Sequence, residues 1–290
     1  MSALSLRSVA WLAFFAAILA AWVVMYLMAT GMDLDLIGRP GPMGETMRAM
    51  QPGMEMGMGT GMEGGMSGGM SGGMSGDMSG GMDMMAMDRF GPLFAMWAIM
   101  MAAMMLPTMV PTLRCYDDLC RSADGTTAGW LGVLAGYSIA WVGFAAVIAW
   151  VQIALLYGGV IDMLGIAKSS LIAGGLLIVV GAFQFTRAKE LCHGVCHSPM
   201  TYFLGHWRTG FGGGVRMGLG LGAFCVGCCW GFMALGFVGG VMSLLWMGLA
   251  TLFMVLEKLP QIGHRVIRPM GVALIAGGVA VLAAPLFMGG

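Results

Sequence analysis

The sequence predicts an all-α fold: a polytopic transmembrane helix bundle of about seven spans, six being the alternative count, with a disordered Met/Gly-rich outer loop. Three observations predict it. Of 290 residues, 59% are hydrophobic and 10% are charged, whereas a soluble domain carries about a quarter charged residues. Apolar runs of about 20 residues recur, each long enough to cross about 30 Å of hydrocarbon as a helix. The short alternating segments of a β-barrel are absent, so helices are the way this backbone satisfies its hydrogen bonds in lipid.

The runs lie near 8–29, 90–111, 130–156, 168–187, 214–235, 237–257 and 267–287. The first exceeds the usual 7–15-residue core of a secretory signal, so it reads as a retained anchor. The fifth and sixth are divided only around Gly239-Gly240. A break there gives a tight hairpin; without it the count falls to six. The chain thus divides into an N-terminal anchor (1–30), a flexible Met/Gly-rich loop (31–89) and a helical metal-binding domain (90–290).

Orientation follows from Lys and Arg. With seven spans and a cytoplasmic N-terminus, ten basic residues fall inside: Arg7, Arg114, Arg121, Arg187, Lys189, Arg208, Arg216, Lys258, Arg265 and Arg268. Four fall outside: Arg39, Arg48, Arg89 and Lys168. This orients the 31–89 loop outward; the expected location is a bacterial inner (cytoplasmic) membrane, with that loop in the periplasm. The formal net charge is zero, which gives no electrostatic reason to expect nucleic acid.

The loop holds 16 Met, and eight acidic residues against three basic ones. Met62, Met66, Met70, Met74, Met78 and Met82 recur every four residues within a Gly-Gly-Met-Ser repeat. Glycine at this density resists helix formation, so the loop is expected to be flexible. Thioether sulfur selects Cu(I) over hard cations, and it has no proton to lose in acid. The periplasm is oxidising, and the loop has no Cys at all. These facts point to soft-metal capture, Met47 and Met50 included; the plainer alternative is a linker whose repeat has drifted.

The second run carries Met96, Met100 and Met104, then Met101, Met105 and Met109, each set spaced by four. That spacing keeps each set on one helical face. Pro107 removes a backbone hydrogen bond and is expected to kink the helix. Ordinary packing explains such a stripe as well as a metal path does, because Met fills irregular gaps. The fifth run holds Cys225, Cys228 and Cys229, at i, i+3 and i+4, with Met233 a turn later. Three thiols on one face near mid-membrane favour a thiolate site for Cu(I), with Zn(II) as the alternative metal. Flanking glycines favour close helix approach.

Between the fourth and fifth runs stand Cys192, His193, Cys196 and His197. Four soft or borderline donors in six residues suggest a metal site in an inner loop, incidental cysteines being the plainer reading. The haem-attachment pattern is C-x-x-C-H; the spacing here is C-x-x-x-C-H, which argues against haem. Cys115 and Cys120 match no standard motif. Glu257-Lys258 marks the inner end of the sixth run, where either charge is expected to reach water. Gln184 is a candidate for an interhelical hydrogen bond.

The segments Trp97–Pro107, Lys189–Pro199 (KELCHGVCHSP) and Gly227–Met233 (GCCWGFM), with Glu257-Lys258, resemble a bacterial family of predicted metal-binding integral membrane proteins of unknown function. The resemblance covers roughly residues 90–260 and implies metal handling without an established reaction. The family's inner motif usually reads Cys-Leu-x-x-Cys-Arg-Ser-Pro; here His193 and His197 replace the Leu and Arg.

The leading expectation is a membrane protein that captures soft metal, Cu(I) first, and transfers it across or within the membrane. The repeat methionines would capture the ion. Met100, Met101, Met104 and Met105 would pass it on, Cys225, Cys228 and Cys229 would hold it, and Cys192 and Cys196 would receive it. No G-x-x-x-x-G-K-[ST] loop is present, so no ATP-driven pump of that type is expected. One alternative is an accessory factor that assembles or metallates a membrane enzyme. Another is a membrane thiol–disulfide oxidoreductase using Cys225 and Cys228. The expected partners are the bilayer, the metal ion, and a membrane enzyme or copper chaperone.

Overall fold

The computed structural model describes residues 3–31, 34–38, 89–120, 125–162, 165–259 and 262–288. Met62, Met66, Met70, Met74, Met78 and Met82 lie outside the described residues, as do Met47, Met50 and the side chain of His197. Among the described residues the ordered elements are helical: α1 (Ala3–Gly31), α2 (Phe90–Cys120), α3 (Thr127–Tyr157), α4 (Ser170–Phe183), α5 (Arg187–His197), α6 (Pro199–His206), α7 (Gly210–Ala234), α8 (Gly236–Gly239), α9 (Leu244–Lys258) and α10 (Gly263–Met288).

All seven apolar runs form helix, but they do not all have spanning length. Among the described residues, five stretches are long and apolar enough to cross a membrane: Leu6–Gly31, Phe90–Cys120, Thr127–Tyr157, Gly210–Gly239 and Arg265–Ala284. A sixth is reached if α4 and the start of α5, bent by 65°, count as one broken span. The run at 237–257 becomes α9, of 15 residues. At 1.5 Å per residue it is about 22 Å long, short of about 30 Å of hydrocarbon. The turn before it falls where the sequence divides: Gly240 has φ +92°, a left-handed conformation that glycine adopts without a Cβ clash.

The most extensive helix contact joins α3 to α7. Its cause is a double row of glycines. A Cβ at Gly136 would fall on the Val215 carbonyl; Cβ atoms at Gly214 and Gly218 would fall on the carbonyls of Gly129 and Val133. The backbones therefore touch, as small residues permit in lipid. The register advances in the same direction on both helices, so α3 and α7 run parallel. In the antiparallel α4–α10 pair, a Cβ at Gly174 or Gly278 would crowd the other's carbonyl. Gly181 makes the same approach to the Gly271 carbonyl.

The start of α1 is pinned to the end of α2. Arg7 forms an ion pair with Asp117, and Trp11 Nε1 donates to Asp117 Oδ2 at 2.8 Å. At the opposite end, the Leu245 N–H donates to the Leu36 carbonyl at 2.9 Å, fixing the start of α9. Helix α9 descends from that end and stops inside the bundle. Both methionine sets of α2 are buried, Met96, Met100, Met104, Met101, Met105 and Met109 each being at most 3% exposed.

Candidate metal centre

Five helices contribute to one buried polar site. Helix α7 supplies Cys225, Cys228 and Cys229 at 0%, 3% and 2% exposure, since i, i+3 and i+4 share its inward face. The Sγ atoms of Cys228 and Cys229 are 3.3 Å apart. The bend after α4 turns α5 across α7; Thr186 caps α5 by accepting from the Lys189 N–H. Cys196 is thereby brought to 3.9 Å from Cys228, sulfur to sulfur. The sulfurs of Cys196, Cys225 and Cys228 all lie within 4.8 Å of one another, a grouping that could hold a metal ion. Metal–thiolate bonds of about 2.3 Å place trigonal sulfurs about 4 Å apart, so little movement would close the trio on an ion.

The remaining helices supply compensating charge and hydrogen bonds. Lys258, at the end of α9, stands 3.2 Å from Cys225 Sγ and donates to Thr108 Oγ1 of α2 at 2.9 Å. The Tyr137 hydroxyl of α3 is 3.2 Å from Cys225 Sγ and 3.2 Å from Thr108 Oγ1. Lys189 donates to the Cys228 carbonyl at 2.8 Å and forms an ion pair with Glu257. His193 Nε2 meets the Glu257 carbonyl at 2.9 Å. Each Lys ammonium also lies 5.8 Å from an aromatic centroid, Lys189 over Phe232 and Lys258 over Tyr137, a favourable cation–π placement.

Three expectations are corrected here. Glu257 and Lys258 do not reach water; they are 2% and 6% exposed, because α9 is too short to carry them out of the bundle. Cys196 does not belong to a separate inner-loop centre; it sits on a helix and joins the α7 thiols. Cys192 is partly exposed, and a Cβ at Gly227 would come within 3.0 Å of its sulfur. His193 lies behind the sulfurs, on Glu257. Met233 is buried on α7. The Gln184 side-chain oxygen has no hydrogen-bond partner among the described residues, contrary to its expected interhelical bond.

Two cavities flank the centre. One, of about 60 Å³, is lined by Met101, Met105, Tyr137 and Trp141 among others. It joins the methionine face of α2 to the tyrosine that touches Cys225. The other, of about 480 Å³, is lined by Gln184, Lys189, Glu190, His193 and Arg268 among others. It reaches the far side of the Lys189–Glu257 pair. Sequence reasoning missed Thr108, Tyr137 and the roles of Lys189, Glu257 and Lys258. The available signal was a pair of adjacent charges only 15 residues beyond the capping residue Ser243.

A family model described as copper chaperone (PpoB2) matches residues 94–281, which include every helix that builds this centre. No curated protein and no solved structure matches the chain.

Proposed function

This chain belongs to the copper chaperone family, and on that premise we propose that it holds Cu(I) inside the bilayer and hands it to an acceptor protein. One observation carries the reading: the buried trio of Cys196, Cys225 and Cys228, with the Lys258 ammonium beside it. Cu(I) held by two thiolates, with the third sulfur of the trio kept as a neutral thiol, has a single negative charge. Lys258 cancels that charge, and Lys189 and Glu257 cancel each other. The loaded site is then neutral, which a low-dielectric interior demands. Zn(II) would need Cys229 as a fourth donor for its usual tetrahedral shell, and four thiolates on Zn(II) leave two negative charges, which Lys258 alone does not cancel. The trio includes no His or carboxylate among the described residues.

The outer methionines supply the ion. Met62, Met66, Met70, Met74, Met78 and Met82 bind it loosely as thioethers, and Met100, Met101, Met104 and Met105 relay it along α2. The cavity between Met101, Met105 and Tyr137 supports that route. Transfer across the membrane is the second reading, favoured by the cavity at Lys189 and His193 on the far side. Disulfide exchange fares worse, because an exchanging thiolate must be accessible and these thiols are buried.

The test is copper content and Cu(I) affinity of the purified chain in detergent. The comparison variants are a deletion of residues 43–87 and Cys225→Ser/Cys228→Ser/Cys229→Ser. The expected result is loss of tight stoichiometric copper in the Cys variant and weaker uptake in the deletion. Wild-type protein that binds no more copper than a Met-poor membrane protein would overturn the reading.

A further inference from the structure

A second pair of soft donors lies outside the buried centre. Cys115, near the end of α2, has its sulfur 4.0 Å from the Met200 sulfur on α6. The sequence separates them by 85 positions. An aromatic clamp holds them together: Tyr116 packs on Phe203 and Trp207 at centroid distances of 5.5 and 5.2 Å. Unlike the trio, this pair is accessible. Cys115 is partly exposed and Met200 is 41% exposed, beside the exposed charges Arg114 and Asp118.

We propose that Cys115 and Met200 form a solvent-facing Cu(I) exchange site, distinct from the buried trio and open to a ligand from another protein. Bonds of about 2.3 Å to two sulfurs 4.0 Å apart subtend about 120°. That is the angle of a trigonal site with its third place vacant, between two residues that are both at least partly exposed. Catalytic metal sites keep an open position where structural sites are closed, and an incoming ligand from another protein needs such a position too. The donors are soft and select Cu(I). On binding, the Cys115 thiol proton passes to water as the S–Cu bond forms; the thioether loses nothing, and the copper does not change oxidation state. The thiolate complex is neutral, so it needs no buried counter-charge.

The position suits hand-off. Thr108, which contacts Lys258 in the buried centre, lies seven residues before Cys115 on α2, about 10 Å along the axis. Cys196 precedes Met200 by four residues, so their backbones lie within about 14 Å. The inference rests on the reading of the chain as a Cu(I) carrier, and its test separates the two.

The experiment measures the rate of N-ethylmaleimide labelling at Cys115 in the full chain in detergent, without oxygen, read by peptide mass spectrometry. Cu(I) is the probe. With Cu(I) at about ten times Kd, mass action lowers the free thiol about tenfold, and labelling should slow by that factor. Met200→Leu should keep the copper-free rate, which reports an intact fold, and should lose the protection. Cys196→Ser/Cys225→Ser/Cys228→Ser should retain the protection. Equal labelling with and without copper in wild type, or protection that survives Met200→Leu, overturns the proposal. Protection lost in the triple variant also overturns it, because the shielding would then belong to the buried trio. Failure of the buried-site reading shows separately, as equal tightly held copper in wild type and the triple variant.

Discussion

The Lys258 ammonium lies 3.2 Å from Cys225 Sγ, and the residue before it, Glu257, pairs with Lys189 on another helix. One short helix end therefore sets both the charge at the thiols and the ion pair behind them. Replacing Lys258 by Met keeps the length and removes the charge. Outer-shell partners of metal ligands typically contribute 10–100-fold in affinity. Lys258→Met is expected to weaken Cu(I) binding by about that range, measured by competition with a Cu(I) chelator.

The four thiols nearest the centre should not be equivalent. Cys196, Cys225 and Cys228 form the trio, whereas Cys229 lies beside it, 3.3 Å from Cys228. Cys196→Ser is expected to lose tight copper as fully as Cys228→Ser does, although it lies on a different helix. Cys229→Ser should retain most of it. Copper content after desalting distinguishes these outcomes; a Cys196→Ser protein with wild-type copper would remove α5 from the site.

The Lys189–Glu257 pair is buried, at 1% and 3% side-chain exposure. Removing one partner of a buried pair typically costs 3–5 kcal/mol, while replacing both with apolar groups is often close to neutral. Lys189→Met alone and Glu257→Leu alone are each expected to lower the unfolding temperature markedly, and Lys189→Met/Glu257→Leu to recover much of the loss. Thermal unfolding of the four proteins in detergent, taken as a double-mutant cycle, measures the coupling.

Acid should separate the thiol centre from the methionine loop. A thiol must lose its proton to bind metal, so its apparent affinity falls as pH falls. A thioether has no proton to lose. Wild-type affinity is expected to drop from pH 7 to pH 5, whereas the residual binding of a variant with all 7 Cys replaced by Ser should stay nearly flat. A Cu(I) titration at both values reads the difference.

The α3–α7 contact is expected to tolerate no side chain at its centre. Gly218→Val would drive its Cβ onto the Val133 carbonyl. Overpacking typically costs 1–3 kcal/mol and more where backbone is the obstacle. The variant should lose the folded, monodisperse peak in size-exclusion chromatography, while Gly143→Ala, which meets open space, should behave as wild type.

The sequence by itself determined the helical class, the apolar segments and the shared face of Cys225, Cys228 and Cys229. These follow from local properties: apolar run length and the 3.6-residue repeat. The break at Gly239-Gly240 was legible for the same reason, since backbone handedness is local. Tertiary structure decided what those faces meet. Cys196 joins the thiols because the 65° bend after α4 lays α5 across α7, and no spacing rule encodes that crossing. Lys258 stays buried because α9 begins at Leu244, pinned through Leu245 to Leu36, and runs out of length before it runs out of bundle. Cys115 and Met200 meet where Tyr116 packs edge-to-face on Phe203 of α6 and stacks on Trp207 just beyond it. A helix's own sequence specifies which residues share a face; the neighbours that face acquires depend on crossing angles and end positions set by contacts far away in the chain.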